Sequence, residues 1–244
     1  MSIELPGEVA SFLNAIGINW PNVDEDQVRA FAGHVRDFGN NVDSTHQDAS
    51  STVQQMSSAY SGRSYEQLVE TWTQMSNSHM KELVDACHVV AEALDIAADA
   101  IVAAKVAAIA ELIALAAAFI ADQAAAVLTF GIAEAALALV EEAGKKVIDL
   151  LIQQLEQQII AQVIGAAVEP LEQVVEKALS GLVFKGVESA LGVSSGAGGA
   201  VGSSFGIVPD ELMNHANALQ GHADTVAGHA ATFASNVSSI SFGE

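Results

Sequence analysis

Between Ala86 and Ala143, 24 of 58 residues are alanine. Alanine is the strongest helix former, and its small side chain lets neighbouring helix axes come close. A chain built round such a stretch, with four prolines and 5% aromatic residues, is expected to fold almost wholly as helix. Apolar residues run nearly all round this stretch, which predicts burial between helices rather than a lone surface helix. Asp99, Lys105, Glu111, Asp122 and Glu134 interrupt it, so no uncharged run approaches the ~20 residues of a membrane span. Turns or kinks are predicted at Thr129-Phe130-Gly131 and at Gly144.

Upstream, a lead ending at Pro21 precedes Asp24-Glu25-Asp26-Gln27, a helix start in which Asp24 can cap. Apolar positions then step by three and four through Val28, Phe31, Val35, Phe38, Val42, Thr45, Ala49, Thr52, Met56 and Ala59, a heptad seam. Tyr60-Ser61-Gly62 breaks it, because glycine takes the left-handed conformation a helix end requires. A second helix carries Leu68, Trp72, Met75, His79, Leu83, Ala86, Val90, Ala93 and Ala97. Two long helices joined by a tight turn make an antiparallel hairpin. Gly62 is expected at positive φ, with Tyr60 and Trp72 packed near the tip.

Beyond the alanine-rich stretch, Lys145 to Val163 is amphipathic, with Ile148, Leu151, Ile152, Leu155, Ile159 and Val163 on its apolar side. A further helix is predicted from about Pro170 to Leu191. Gly192 to Gly206 holds six glycines and four serines in fifteen residues, a flexible linker of ~20 Å reach. Pro209 then opens a last helix whose heptad positions are Leu212, Ala216, Leu219, Ala223, Val226, Ala230, Phe233, Val237 and Ile240. One helix cannot bury its own seam, so Leu212, Leu219, Val226, Phe233 and Ile240 must dock on the hairpin or on a partner. The expected organisation is a helical domain over 1–191, a linker over 192–206 and a heptad helix over 207–244.

Thirty acidic against nine basic residues give a net charge of −21. That excludes a nucleic-acid partner and disfavours an anionic membrane surface. The single Cys87 rules out an internal disulfide framework, and its neighbour His88 cannot face it on a helix. No catalytic motif is present, so no enzyme activity, cofactor or metal is expected. His215, His222 and His229 recur every seven residues, about 10 Å apart along a helix, too far for one ion to join neighbours. In the heptad frame they flank the seam, either as ordinary surface residues or as a pH-sensitive rim facing carboxylates. Met1 to Trp20 lacks Lys and Arg and carries Glu4 and Glu8, so no basic leader region opens the chain.

The lead LPGEVASFLNAIGINWPNVDEDQVRAFAGHV, the turn in YSGRSYEQLVETW and the run LDIAADAIVAAKVAAIAELIALAAAF resemble the WXG100-like N-terminal domains of actinobacterial polymorphic toxins. The resemblance covers residues 3–190, and IVPDELMNHANALQGHADTVAGHAATFA is similar to an ESX-type helix. It implies an all-α, WXG100-like hairpin extended by alanine-rich helices into an elongated bundle. The family's Trp-x-Gly turn falls on Tyr60-Ser61-Gly62, with Tyr in place of Trp. Its YxxxD/E export motif has only a degenerate counterpart in His88 and Glu92. The resemblance further implies a non-enzymatic module for type VII (ESX) secretion, a targeting or scaffold protein or a substrate. Its partners would be a small WXG100/ESX-type helical protein, a second copy and the secretion machinery. It would be cytoplasmic before export and then secreted or in the cell envelope. Family members usually precede a toxin domain, which is not expected after Ile240. The alternative from the residues is an α-helical pore-former in which the 96–140 region inserts into a membrane.

Overall fold

The structure is a computed structural model describing residues 3–21, 23–126, 133–159 and 206–241. The turn expected at 129–131, the helix expected at 170–191 and most of the linker lie outside these residues. Six α-helices account for nearly all the described chain: α1 (Gly7–Ile16), α2 (Glu25–Gln55), α3 (Arg63–Met75), α4 (Lys81–Ala126), α5 (Ala133–Ile159) and α6 (Pro209–Ser238). A 3-10 turn (Met56–Ser58) closes α2, and a π turn (Ser76–Met80) joins α3 to α4. The strands β1 (Tyr60–Ser61) and β2 (Gly206–Ile207) pair antiparallel. The fold is all-α, as expected.

The described residues fall into two compact units. One holds residues 3–32, 92–126, 133–159 and 240–241, and the other 33–91 and 206–239. Helices α2 and α4 each contribute to both.

In the first unit the lead is itself a helix. Gly17, at φ 70°, ends α1, and the amide of Ile18 reaches back to the Leu13 carbonyl at 3.0 Å. Val9, Phe12 and Leu13 of α1 pack with Leu112, Ala116 and Phe119 of α4 and Ile148 of α5. Phe12 meets Phe119 edge to face at 5.3 Å. Gly144 makes no turn: α5 runs through it. It sits inside that helix because a Cβ there would lie 3.0 Å from Phe12 and from Ile16. Ile148, Leu151 and Leu155 are buried as the amphipathic pattern requires, while Ile152 is exposed.

The first unit also encloses an ion pair. Lys105 is 3% exposed and Glu25 is fully buried, with Nζ 2.5 Å from Oε2. Lys105 also donates to the Val23 carbonyl, and the Ile3 amide donates to Glu25 Oε1 at 2.7 Å. Burial alone would raise the Glu25 pKa. The Lys105 ammonium and backbone N–H groups outweigh it and hold the carboxyl below its ordinary value. Asp24 caps α2 as predicted, accepting from the Asp26 and Gln27 amides at 2.9 and 3.3 Å.

In the second unit, Val35, Val42, Ala49 and Val53 line the buried side of α2, and Met56 of the 3-10 turn is buried after them. Gly39 lies among them, and its backbone comes so near α4 that a Cβ would sit 2.8 Å from Cys87 Cβ. Cys87 is the buried thiol its position suggests, and burial pushes its pKa up.

Candidate functional site

The hairpin turn and the last helix meet in the second unit. Gly62 has φ 129° and ψ 178°, a region open in practice only to glycine, and it starts α3. Just before it, Tyr60 pairs with Ile207 and Ser61 with Gly206. Gly206, the last residue of the expected linker, is therefore strand, and a Cβ on it would lie 2.9 Å from Ser61 Oγ. The Val208 amide donates to the Ala59 carbonyl at 2.8 Å, which sets the register in which α6 begins. Tyr65 meets Tyr60 edge to face at 6.2 Å and donates its hydroxyl to the carbonyls of Val53 and Gln54, each at 3.2 Å. Two segments almost 150 residues apart in the chain thus build one tip. It leaves Ile207, Val208 and Met213 exposed.

Trp72 lies elsewhere than expected. It is ten residues past Gly62, about 15 Å along α3. Its indole N–H donates to Ser50 Oγ at 2.9 Å, and its ring stacks on His46 at 5.3 Å. His46 Nε2 is 2.7 Å from Ser76 Oγ at the start of the π turn, and burial lowers its pKa against the pull of Asp43. Trp72 therefore ties α3 to the middle of α2, while Tyr60 and Tyr65 form the tip.

Helix α6 runs antiparallel to α2. Phe233 stacks on Phe38 at 5.0 Å, His229 Nε2 lies 3.1 Å from Thr45 Oγ1, and His222 Nε2 lies 3.2 Å from Thr52 Oγ1. Asn236 and His34 stand 3.5 Å apart further along. Each threonine hydroxyl gives its proton to a carbonyl one turn back, Asn41 for Thr45 and Asp48 for Thr52. Its oxygen is left to accept, so the imidazole Nε2–H is the donor in both bonds.

This geometry corrects the heptad frame. The half-buried residues of α6 are Leu212, His215, Leu219, His222, Val226, His229, Phe233 and Asn236 together with Val237, whereas Ala216, Ala223 and Ala230 are exposed. The histidines stand in the seam, and the alanines predicted to fill it face outward. The facing side of α2 carries threonine hydroxyls, whose oxygens imidazole can engage and alanine cannot. The groups opposite His222 and His229 are the hydroxyls of Thr52 and Thr45. Ile240, also half-buried, belongs to the first unit. His88 and Glu92 are both exposed on α4. Among the described residues, no three His, Cys, Asp or Glu side chains converge on a metal-sized site.

A model of the WXG100-like domain matches residues 2–146. The chain belongs to the WXG100-like domain family. This is a non-enzymatic family of secretion substrates associated with type VII secretion, and its domains generally self-associate or pair with other helical proteins. The match takes in the hairpin, its Gly62 turn and the alanine-rich helix α4, and it ends within α5. The β2 strand and α6, which complete the tip, lie beyond it. No curated protein and no solved structure matches the chain.

Proposed function

We propose that this WXG100-like protein is a type VII (ESX) secretion-associated targeting or scaffold module, or a substrate, that works through helix–helix contacts and carries its own partner helix. The observation that supports this is the seating of α6 along α2 with β2 paired to the hairpin turn. WXG100-like domains generally self-associate or pair with other helical proteins. Here the tail helix α6 takes the place of such a partner in cis. Tyr60 and Gly62, with Ile207 and Val208 beside them, form the recognition tip, and His88 with Glu92 gives the degenerate export motif.

A tagged full-length chain expressed in a host with and without a working type VII system tests the reading. Release into the medium should require the working system. Tyr60→Ala should retain the chain in cells while leaving its helical circular dichroism unchanged. Equal release from both hosts overturns the proposal.

One observation favours a second reading, a membrane-inserting protein. Residues Lys81–Asp122 form a helix long and apolar enough to cross a membrane by length and composition, with a mean hydropathy of 2.1 in its most apolar window. The charges break its uncharged run, yet insertion of the 96–140 region is the alternative that the residues themselves offer. However, insertion would have to break the buried Lys105–Glu25 pair. Dye release from liposomes decides it: leakage supports insertion, and intact vesicles leave the secretion reading.

A further inference from the structure

The bond from the Val208 amide to the Ala59 carbonyl decides which way the main chain of β2 faces. Antiparallel ladders alternate hydrogen-bonded and non-hydrogen-bonded pairs. With Ala59 and Val208 bonded, the next pair, Tyr60 and Ile207, is the non-bonded one. The N–H and C=O of Ile207 therefore point away from β1, to the open side of the ribbon. Among the described residues neither group has a hydrogen-bond partner. Ile207 is 43% exposed and Val208 45%, while Gly206 adds no side chain.

An open edge that carries neither charge nor proline is a template for another strand. This one is two residues long, so it offers the donor and acceptor of a single residue. A hydrogen-bonded antiparallel pair takes both with one incoming residue. That residue's side chain then lies on the face that Ile207 shares with Tyr60, beside a β-branched and an aromatic neighbour. The residue before it stands opposite Val208, and the one after it has the space that Gly206 leaves open. Towards its N-terminal end the incoming strand runs to Asp210 and Glu211, both exposed in the first turn of α6.

We infer that the free edge of β2 takes up an extended segment of another protein, antiparallel, with apolar residues opposite Ile207 and Val208 and basic residues towards its N-terminal end. This rests on the reading of the tip as the recognition surface, and it names what the tip recognises. The unpaired N–H and C=O call for a strand and not a helix. The net charge of −21 turns away a second copy of this chain and favours a basic partner.

Fluorescence anisotropy of a labelled test strand, acetyl-RKVIFT-amide, titrated with the full chain, tests this. Its isoleucine is placed to meet Ile207, and its Arg-Lys end to meet Asp210 and Glu211. The peptide should bind, more weakly at high salt, and should slow amide exchange at Ile207. N-methylation of the peptide's isoleucine nitrogen deletes one bond and should weaken binding about ten-fold or more. Ile207→Pro removes the outward N–H at a place where an edge strand tolerates proline. It should weaken binding as much, with helical circular dichroism unchanged. Asp210→Lys combined with Glu211→Lys should lose acetyl-RKVIFT-amide and bind acetyl-EEVIFT-amide instead. No binding of acetyl-RKVIFT-amide to the wild type overturns the proposal. So does binding that N-methylation and Ile207→Pro leave unchanged, which would mean an apolar patch without strand pairing. The secretion reading fails separately, by release that needs no type VII system. A chain whose release needs that system but that binds no strand keeps that reading and sinks this one.

Discussion

Replacing Lys105 by Met should be among the most damaging single changes in the chain, because it strands Glu25. Both oxygens of that buried carboxylate are engaged, one by the ammonium and one by the Ile3 amide. Methionine fills similar volume but leaves one amide to compensate a buried charge. Breaking a buried pair from one side costs about 3–5 kcal/mol. At this chain length that is a fall in melting temperature of roughly 6–20 °C. The loss has a defined pH dependence. In the wild type the folded pKa of Glu25 lies below its unfolded value, so the pair stabilises fully above the unfolded value of about 4.3 and is lost as pH falls through the folded one. In Lys105→Met, burial without the cation raises the folded pKa, and stability falls as pH rises through it. The gap between the two proteins should thus be widest near pH 7 and shrink towards pH 4. Effects of the overall acidic charge enter both proteins and cancel in the difference. Adding Glu25→Leu to Lys105→Met should recover most of the loss, since an apolar pair no longer needs solvation. Urea unfolding followed by circular dichroism at several pH values measures all three proteins. A Lys105→Met loss under about 1 kcal/mol, or one independent of pH, refutes the reasoning.

The glycines of α2 should separate by context. Gly33→Ala, with nothing within 4 Å of its new Cβ, should stabilise by about 0.5–1 kcal/mol, whereas Gly39→Ala should destabilise by about 1–2 kcal/mol through its clash with Cys87, both read by urea unfolding. Thr45→Val should loosen α6 by about 1 kcal/mol, some five-fold faster amide exchange over 209–238, since it removes the acceptor of His229. His229→Gln should preserve much of that protection, because its amide nitrogen can still donate. Gly62→Val should cost about 1–3 kcal/mol at the turn, measured by thermal melting.

The hairpin, its turn and the all-helical class were readable because each rests on local chemistry: three-and-four steps, alanine content and a glycine where φ must be positive. Glu25 and Lys105 were not, being 80 residues apart with no local sign that two opposite charges share one interior. Gly144 and Gly39 read as breaks or as nothing, since sequence reveals a missing side chain but not the neighbour that requires it missing. One signal was present and unused. The spacing Met75, His79, Leu83 takes two four-residue steps in succession, one residue beyond the heptad rhythm, and the π turn at Ser76–Met80 absorbs it.

The tail shows how a correct period can still give the wrong face. Leu212, Leu219, Val226 and Phe233 belong equally to a seam completed by alanines and to one completed by His215, His222 and His229, one position earlier. Those choices differ by a rotation of about 100°, and hydrophobicity alone prefers alanine. What decides is the surface opposite. Helix α2 presents Phe38 and then Thr45 and Thr52 at seven-residue spacing, each hydroxyl proton already committed to its own backbone. Such a surface asks for a donor every seventh residue, and the histidines supply it at that interval. The threonines that interrupted the apolar seam of α2 were therefore the sequence's record of where the tail would sit, readable once the two periodicities are aligned antiparallel against each other.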